Sequence, residues 1–261
     1  MILLILALIL IAYFGIGYAV WRVTRGRGGP TRLAILIAMM VGVPYLAWTI
    51  FYPSSTLRAK ITIDVETPEG LKTGSSVHEV VFSLEPCPLC NTSGPKFRRH
   101  VRGEAVAVDL GERGTLFALL NGGGGNYPEA DPVTPFILEK LFGLKEDKDW
   151  RGAEAVRVLG RASGQADIPQ NLLPFMVRFR DINDPKTVER IDPANLAASF
   201  GPGVKLNKAT IEITRDPITS GIEKQLEWLP KVIRDGGAID GTRFPATNDL
   251  KSNLGGGAFK W

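Results

Sequence analysis

Residues 61–66, with the sequence ITIDVE, carry the pattern that decides the fold of this chain. Isoleucine or valine occupies every second position, and polar residues lie between them, which predicts a β-strand with one buried face. The turn-forming segment 68–70 (PEG) follows, and residues 77–84 form a second strand-like stretch at a distance typical of a hairpin. The sequence therefore predicts an antiparallel hairpin at the start of a folded domain.

Four further strands are predicted where apolar and polar residues alternate, or where β-branched and aromatic residues cluster between turns. They occupy residues 105–110, 115–120, 175–180 and 208–214. The turn at residues 111–114 separates the first two of these strands by a hairpin distance. The first half of the domain is therefore predicted to be mainly antiparallel β-sheet.

Start and stop residues predict helices later in the chain. Residues 136–142 follow a proline, which is favoured at a first helical position, and end at Gly143. Residues 194–200 follow Asp192, a capping residue, and end at Gly201. Both segments are therefore predicted to be short helices.

The best-specified helix begins with a capping box formed by Ser220 and Glu223. A one-sided apolar stripe follows the box, and Pro230 is expected to end the helix. A weaker helical pattern covers residues 152–161. The charged run just before it, at residues 145–149, is interpreted as a solvated surface segment.

These elements do not alternate strictly, and no internal repeat is visible. The predicted fold class is α+β: a transmembrane hairpin followed by a mainly antiparallel β domain with peripheral helices. A β-sandwich with peripheral helices is the nearest alternative. The predicted boundaries are 1–52 for the membrane hairpin, 53–234 for the α+β domain and 235–261 for a loosely ordered tail.

The membrane prediction rests on two charge-free apolar segments, residues 1–21 and 33–52. Each is long enough as a helix to cross the hydrocarbon core of a bilayer, which is about 30 Å thick. Three aromatic residues cluster at the end of the second segment, as they do at membrane interfaces. A cleaved signal peptide is the alternative for residues 1–21, but no basic residue precedes the apolar run and a second run follows.

The loop at residues 22–32 indicates the orientation of this hairpin. It carries the four arginines of the membrane segment, namely Arg22, Arg25, Arg27 and Arg32. Positively charged loops stay on the cytoplasmic side. The sequence therefore predicts a multi-pass protein of the bacterial inner membrane whose large C-terminal domain lies in the periplasm.

The charge of the chain excludes an electrostatic argument for nucleic-acid binding. The 261 residues include 31 basic and 27 acidic side chains. Because no acidic residue precedes residue 52, removal of the four loop arginines leaves 27 basic and 27 acidic side chains in the remainder. A neutral domain has no basic footprint for nucleic acid. An apolar content of 44% also excludes collagen-like and fully disordered classes.

Four stretches carry a resemblance to known proteins. They are VRGEAVAVDLG at residues 101–111, GTLFALL at 114–120, FRDINDPKTVERIDPANLAASFGPGV at 179–204 and ATIEITRDPITSGIEKQLEWLP at 209–230. Together they resemble a group of uncharacterised proteobacterial membrane-anchored proteins with no assigned activity. The resemblance omits the membrane segment and the tail. It implies a bacterial envelope setting and assigns no catalytic residue.

The segment Cys87-Pro88-Leu89-Cys90 is the sharpest local motif and contains the only cysteines of the chain. Two thiols at this spacing can form a structural disulfide, exchange it, or provide half of a tetrahedral metal site. A structural disulfide is favoured because the domain is predicted to lie in an oxidising compartment. Thiol redox activity is less favoured, because turn formers and not a helix follow the motif.

A zinc site is the third interpretation of the motif. Both histidines of the chain, His78 and His100, lie near Cys87 and Cys90 in sequence, and two cysteines with two histidines are a permitted zinc set. The spacing matches no zinc-finger pattern, however. His78 shares a strand face with apolar neighbours, which favours a core or interface histidine.

Other candidate sites are predicted to be structural. The glycine run at residues 122–125 follows a strand but lacks the Gly-Lys-Ser/Thr of a phosphate-binding loop. An oxygen-rich segment could suit Ca²⁺ but lacks the central glycine of an EF-hand, so a polar turn is favoured. Its members are Asp181, Asn183, Asp184, Glu189 and Asp192. No nucleophile elbow is present, and no organic cofactor is expected.

The sequence therefore favours a non-enzymatic envelope protein over an enzyme. Two helices would hold it in the lipid bilayer, and the periplasmic domain would bind or scaffold an envelope protein or a second copy of the chain. The alternative is a membrane-tethered thiol/disulfide redox or zinc-binding protein that uses Cys87 and Cys90.

Overall fold

The computed structural model describes residues 14–15, 17–22, 24–26, 29–86, 95–122, 132–143, 152–241 and 250–260. The chain divides into two compact units, Met1–Pro53 and Ser54–Trp261. The predicted end of the membrane segment at residue 52 therefore lies next to the observed division.

The first unit contains α1, a helix over Gly29–Phe51. It has 23 residues, and its most apolar window of 18 residues has a mean hydropathy of 2.1 and is not buried, so the helix is long and apolar enough to cross a bilayer. The helix begins at Gly29 and not at residue 33 as predicted. A π-helical segment, Ala38–Gly42, interrupts it just before Pro44, whose missing N–H disturbs regular helical hydrogen bonding.

Of the predicted first helix, residues 14–15 and 17–22 are helical, and residues 1–13 lie outside the described part of the chain. The buried hydroxyl of Thr24 donates to the Val20 carbonyl at 2.8 Å and satisfies a carbonyl at the end of this stretch. The described residues thus contain one helix that could span a membrane.

The second unit contains nine strands and five helices among its described residues. The strands are β1 (Ser54–Thr67), β2 (Gly70–Glu85), β3 (Lys96–Arg102), β4 (Val106–Asp109), β5 (Thr115–Gly122), β6 (Gln165–Asp167), β7 (Pro174–Phe179), β8 (Val188–Arg190) and β9 (Lys205–Thr214). The helices are α2 (Val133–Phe142), α3 (Ala153–Gly160), α4 (Ala197–Phe200), α5 (Leu229–Asp235) and α6 (Leu250–Asn253). The predicted α+β class with mainly antiparallel sheet is confirmed.

The predicted hairpin is β1 and β2, which pair from Ser54 opposite Ser83 to Thr67 opposite Gly70. The alternating residues of ITIDVE point inward as expected, and Ile61, Ile63 and Val65 are at most 1% exposed. Both strands are longer than predicted, with 14 and 16 residues. This hairpin forms the centre of the larger sheet.

The described residues form two antiparallel sheets. The five-stranded sheet has the order β3-β2-β1-β9-β6, and the four-stranded sheet has the order β4-β5-β7-β8. The sheets approach closely at Gly74 of β2, where a Cβ atom would lie 2.2 Å from the Ala107 carbonyl oxygen. Strands β3, β6 and β8 were not expected from the sequence pattern.

The four-stranded sheet is buried on both faces. Along β5, Leu116 and Ala118 belong to a first core shared with the five-stranded sheet, whereas Phe117 and Leu119 belong to a second core. The domain therefore has three layers: the larger sheet, the smaller sheet, and the C-terminal segments that cover the far face of the smaller sheet. The packing of the two sheets across the first core therefore resembles that of a β-sandwich, the alternative fold considered above.

Helices α2 and α3 complete the first core with Ile137, Leu138, Val156 and Leu159. They confirm the helices predicted at residues 136–142 and 152–161. The helix predicted over 194–200 is shorter than expected, because α4 covers only Ala197–Phe200.

The prediction of a helix that begins at the capping box is wrong. Only a single 3₁₀ turn forms, at Ile222–Lys224, after Gly221 in a left-handed conformation. The Ile222 N–H is bound by the carboxylate of Glu104. Pro230, which was expected to end this helix, instead lies in the first turn of α5, where the missing N–H costs nothing.

The expectation of a loose tail is also wrong for residues 250–260. Leu254, Ala258 and Phe259 are buried in the second core, and Phe259 is fully buried. The neighbouring glycine run permits close packing, because a Cβ atom on Gly256 would lie 2.6 Å from Cγ1 of Ile233 in α5. These glycines therefore serve a close approach of two segments.

Candidate functional site

Cys87 and Cys90, the predicted thiol pair, lie outside the described residues. Strand β2 ends before them at Glu85, and β3 begins after them at Lys96. The motif therefore belongs to the connection between two paired strands. Its disulfide, redox and zinc roles stay predictions.

His78 lies on the inner face of β2 and is 2% exposed. Its Nε2 is 2.8 Å from the Glu104 carbonyl oxygen, and its Nδ1 is 2.8 Å from the Thr134 hydroxyl. Because a carbonyl oxygen can only accept, Nε2 carries the proton and Nδ1 accepts from Thr134. The neutral ring thus joins β2 to residue 104 and to α2. Burial lowers the pKa of His78 to about 4, although the hydrogen bond to Glu104 opposes this shift.

The two histidines do not form a common metal site. His100 lies on the exposed face of β3 and pairs in register with Val81 of β2. His78 is an odd number of positions from Val81, so its side chain points to the opposite face of the sheet. Both ring nitrogens of His78 are also already hydrogen-bonded. The structure therefore does not bring His78 and His100 of the predicted zinc set together, and zinc binding by Cys87 and Cys90 stays a prediction.

We expect His78 to make the stability of the domain depend on pH between pH 7 and pH 5. The unfolded histidine binds a proton below its ordinary pKa of 6.5, whereas the folded ring stays neutral down to about 4. The contribution to the free energy of unfolding is therefore complete above pH 6.5 and falls by about 2 kcal/mol as the pH is lowered from 7 to 5. Urea denaturation of the full chain at several pH values measures this slope.

The two histidines provide a matched pair of variants for this experiment. His78→Gln removes the buried titrating ring and should flatten the slope, whatever its effect on overall stability. His100→Gln removes an exposed ring and should keep the slope. The hydrogen bond with Arg113 is the main reason that the pKa of Glu69 is lowered to about 2. The contribution of Glu69 to the stability of the domain is therefore lost only below pH 4.5 and does not affect the slope between pH 7 and pH 5. A slope that persists in His78→Gln would contradict the assignment.

Glu104 forms the centre of a second polar cluster, and its side chain is 3% exposed. Its Oε2 accepts from the Ile222 N–H at 2.8 Å, and its Oε1 lies 2.9 Å from Nζ of Lys260. The second contact is an ion pair and not an aligned hydrogen bond. Lys260 also binds the carboxylate of Glu223, which raises the pKa of Lys260 and lowers that of Glu223. The cluster fixes the C-terminal segment to the domain.

Arg99 points inward from β3 and forms a bidentate ion pair with Glu139 of α2. Its Nε is 2.5 Å from Oε1, and its Nη2 is 2.9 Å from Oε2. The guanidinium also lies over the rings of Phe97 and Phe136, at 5.1 and 4.6 Å from their centroids. The Glu139 side chain is only 6% exposed. The pair therefore joins β3 firmly to α2.

The outward side chains of β3 form an exposed row of cationic and imidazole groups, here named the basic row. It consists of Lys96, Arg98, His100 and Arg102. The side chains of Arg98 and Arg102 are 52% and 72% exposed, and they lie 3.4 and 3.7 Å from Glu85 and Glu79 of β2. The two remaining members form no ion pair within the part of the chain that the structure describes.

Several other charges on this face of the larger sheet are paired. The ion pairs are Lys60 with Asp216 at 3.9 Å, Lys205 with Glu66 at 3.0 Å and Lys208 with Asp167 at 2.9 Å. Arg58 binds Glu79 beside the basic row, so one carboxylate serves two arginines there. Positive charge therefore predominates at the β3 edge of the face.

The prediction that the oxygen-rich segment forms a polar turn is confirmed. Asp181, Asp184 and Asp192 each accept a hydrogen bond from the backbone N–H two residues further on. Glu189 binds Arg178 and Arg180 at 2.7 and 2.8 Å. Among the described residues, no three His, Cys, Asp or Glu side chains are arranged to hold a metal ion. Of the glycine run, Gly122 ends β5, and the residues after it are outside the described ranges.

Two open grooves of about 470 and 530 Å³ lie side by side and share Gln170, Leu173 and Pro193. Their charged groups are used within the domain. Arg190 stacks 4.7 Å above the ring of Phe175 in the first groove. In the second, lysines are held in the ion pairs of the sheet face.

Sequence reasoning missed the residues that organise the interior, namely Arg99, Glu104, Glu139 and Lys260. The only available signal was the alternation of KFRRHVR at residues 96–102, where apolar Phe97 and Val101 frame an inward arginine. Glu104 meets Lys260 only through the fold, since they are far apart in sequence.

No family model, curated protein or solved structure matches this chain. What the domain can do therefore follows from its own geometry. Two buried polar clusters and a bidentate ion pair hold the strands in place, and the basic row is displayed on the outer face.

Proposed function

We propose that this chain is an anchored protein of the bacterial inner membrane whose large domain binds or scaffolds another envelope component. The observation that carries the proposal is α1, which is long and apolar enough to span a bilayer. Only Tyr52 and Pro53 separate α1 from β1 of the folded domain. The exposed basic row supplies a surface for a partner. The partner is an envelope protein or a second copy of the chain.

The proposed anchor is a multi-pass hairpin with two membrane-spanning segments, residues 1–21 and 33–52, the second of which falls almost wholly within α1. The arginine-rich segment 22–32 lies in the cytoplasm because positively charged loops are retained there. The domain from residue 53 onward then lies in the periplasm. Both helices contact lipid in this arrangement.

Reporter fusions test the orientation. Alkaline phosphatase is active only in the periplasm, and green fluorescent protein is fluorescent when it folds in the cytoplasm. We expect fluorescence for a fusion after residue 26 and phosphatase activity for a fusion after residue 53. Reports of the same compartment from both positions would contradict the hairpin. Extraction of membranes with alkaline carbonate is the companion experiment, since an anchored chain stays in the pellet.

The binding role is tested by recovery of partners from native membranes. The full chain is solubilised in mild detergent after chemical crosslinking and is purified with whatever it holds. We expect one specific envelope protein, or a second copy, in stoichiometric amount. Recovery of no specific partner, together with a detected catalytic turnover, would reject the scaffold proposal.

A membrane-tethered thiol/disulfide redox or zinc-binding protein is the second candidate. The motif that favours it, Cys87-Pro88-Leu89-Cys90, lies between the paired strands β2 and β3. A membrane-impermeant maleimide should label intact cells only after reduction if the pair is a periplasmic disulfide. Unchanged phenotype, metal content and thiol reactivity in the Cys87→Ser, Cys90→Ser variant would reject this candidate.

A further inference from the structure

We infer that the basic row of β3 is the docking surface for an acidic, extended polypeptide segment of a partner protein. This inference rests on the proposed binding function and adds the chemistry of the partner. Alternate side chains of a strand lie on one face, about 7 Å apart. An extended peptide repeats its own side chains with the same period. Carboxylates at every second position of such a peptide therefore match the spacing of the row.

The row is accessible to a partner. Arg98 and Arg102 have the largest measured exposure, at 52% and 72% of their side chains. Their ion pairs with Glu85 and Glu79 are long, and the arginine is exposed in each. Long ion pairs that water reaches contribute at most about 1 kcal/mol. A carboxylate of the partner can therefore replace them at small cost.

The backbone behind the row is held in place from the interior. Arg99 is fixed by its bidentate contact with Glu139, and Val101 is 6% exposed in the first core. Phe97 packs against Phe82 of β2 with ring centroids 5.9 Å apart. The backbone of the row, held in a preformed strand, therefore loses little conformational entropy when a ligand binds.

The shape of the charged region favours a single extended peptide over a broad polyanion. The row is one strand wide. Glu79 and Glu85 of the neighbouring strand β2 lie on the same face of the sheet. A lipid surface or a nucleic-acid duplex on this face would meet those carboxylates and the paired charges beyond them. A single peptide along β3 covers the row and meets fewer of these carboxylates. The neutral balance of 27 basic and 27 acidic residues after the membrane segment also gives no long-range attraction for polyanions.

Fluorescence anisotropy with a labelled peptide tests the inference. The peptide has about ten residues, enough to cover β3, and alternates glutamate with threonine. It is titrated with the full chain in nanodiscs of neutral phosphatidylcholine. We expect saturable binding that weakens as salt is added. The Arg98→Glu, Arg102→Glu double variant should lower the affinity at least about tenfold, because two attractive contacts become repulsive.

A matched control changes the same net charge elsewhere. Lys231 and Arg234 are exposed residues of α5, and the Lys231→Glu, Arg234→Glu variant should leave the affinity within about twofold. A block peptide with all glutamates before all threonines should bind more weakly than the alternating peptide. Far-ultraviolet circular dichroism and urea denaturation verify that both variants are folded.

Several outcomes would overturn the inference. The first is that the alternating peptide binds the wild-type chain and the row variant with equal affinity. A second such outcome is more effective competition by another polyanion. It would be seen if vesicles of equal parts phosphatidylcholine and phosphatidylglycerol, or a single-stranded oligonucleotide, displaced the peptide at a lower concentration of negative charge than unlabelled peptide does. Recovery of the native partner by the row variant would reject the docking surface and leave the proposed scaffold function intact.

Discussion

Replacement of Phe259 by alanine is expected to lower the free energy of unfolding of the domain by about 4 kcal/mol. The ring is fully buried in the second core. Its centroid lies 6.5, 5.9 and 5.7 Å from those of Phe117, Phe179 and Trp228. The cavity cannot easily collapse, because the Phe259 carbonyl is hydrogen-bonded to the Ala105 N–H and holds the segment in place. Urea denaturation followed by tryptophan fluorescence measures the loss.

An exposed apolar residue provides the control for this variant. Leu71 is 58% exposed near the turn of the β1–β2 hairpin. Leu71→Ala should change the free energy of unfolding by less than about 0.5 kcal/mol. If Phe259→Ala behaves like Leu71→Ala, the C-terminal segment is not part of the core in solution.

Glu139→Gln is expected to cost about 3 kcal/mol, the second large effect. The substitution keeps the shape of the side chain but removes the charge that faces the guanidinium of Arg99. Both groups are largely withdrawn from water, with side-chain exposures of 6% and 21%. Loss of one member of a buried ion pair leaves the charge of the other uncompensated, which is strongly destabilising. The shift of the urea midpoint at unchanged slope is the measurement.

Two further variants separate charge from packing at this site. The double variant Arg99→Met, Glu139→Leu replaces both charges by apolar groups and should recover most of the lost stability. Glu154→Gln breaks the exposed pair with Arg157, 3.4 Å apart, and should cost less than about 0.5 kcal/mol. A cost for Glu139→Gln no larger than that for Glu154→Gln would show that the buried pair contributes little.

The sequence pattern predicted the buried side chains correctly where every second residue of a strand is buried. The alternation of ITIDVE placed Ile61, Ile63 and Val65 correctly, because one face of β1 meets the first core and the other meets solvent. The inward orientation of His78 followed from the same rule, since it shares a face with Val80 and other buried residues. These features depend on neighbours along one strand, so the sequence contains them.

Local pattern failed where distant groups supply the partners. The capping box required Ser220 and Glu223 to satisfy backbone groups of their own turn. In the fold, Glu104 takes the Ile222 N–H, and Lys260 takes the Glu223 carboxylate. Tertiary contacts therefore replaced the local hydrogen bonds on which the helix prediction depended.

Strand β3 was missed for a related reason. Its inward face carries Arg99 between Phe97 and Val101, and this arginine interrupts the alternation of apolar and polar residues that would predict a strand. The buried arginine becomes intelligible only beside Glu139 of α2, a pairing that the sequence does not reveal. The candidate docking surface, which is the outward face of β3, could therefore not be recognised before the strand itself was known.

The late position of Phe259 in the sequence of the domain has a consequence for biogenesis. During synthesis, β5 and β7 emerge long before the residues that cover their second face, and the Ala105–Phe259 hydrogen bond joins the residue just before β4 to the segment after α6. Phe117 and Phe179 therefore stay uncovered on the growing chain until the segment that contains Phe259 has been synthesised. A chaperone that shields this aromatic surface in the meantime would limit aggregation.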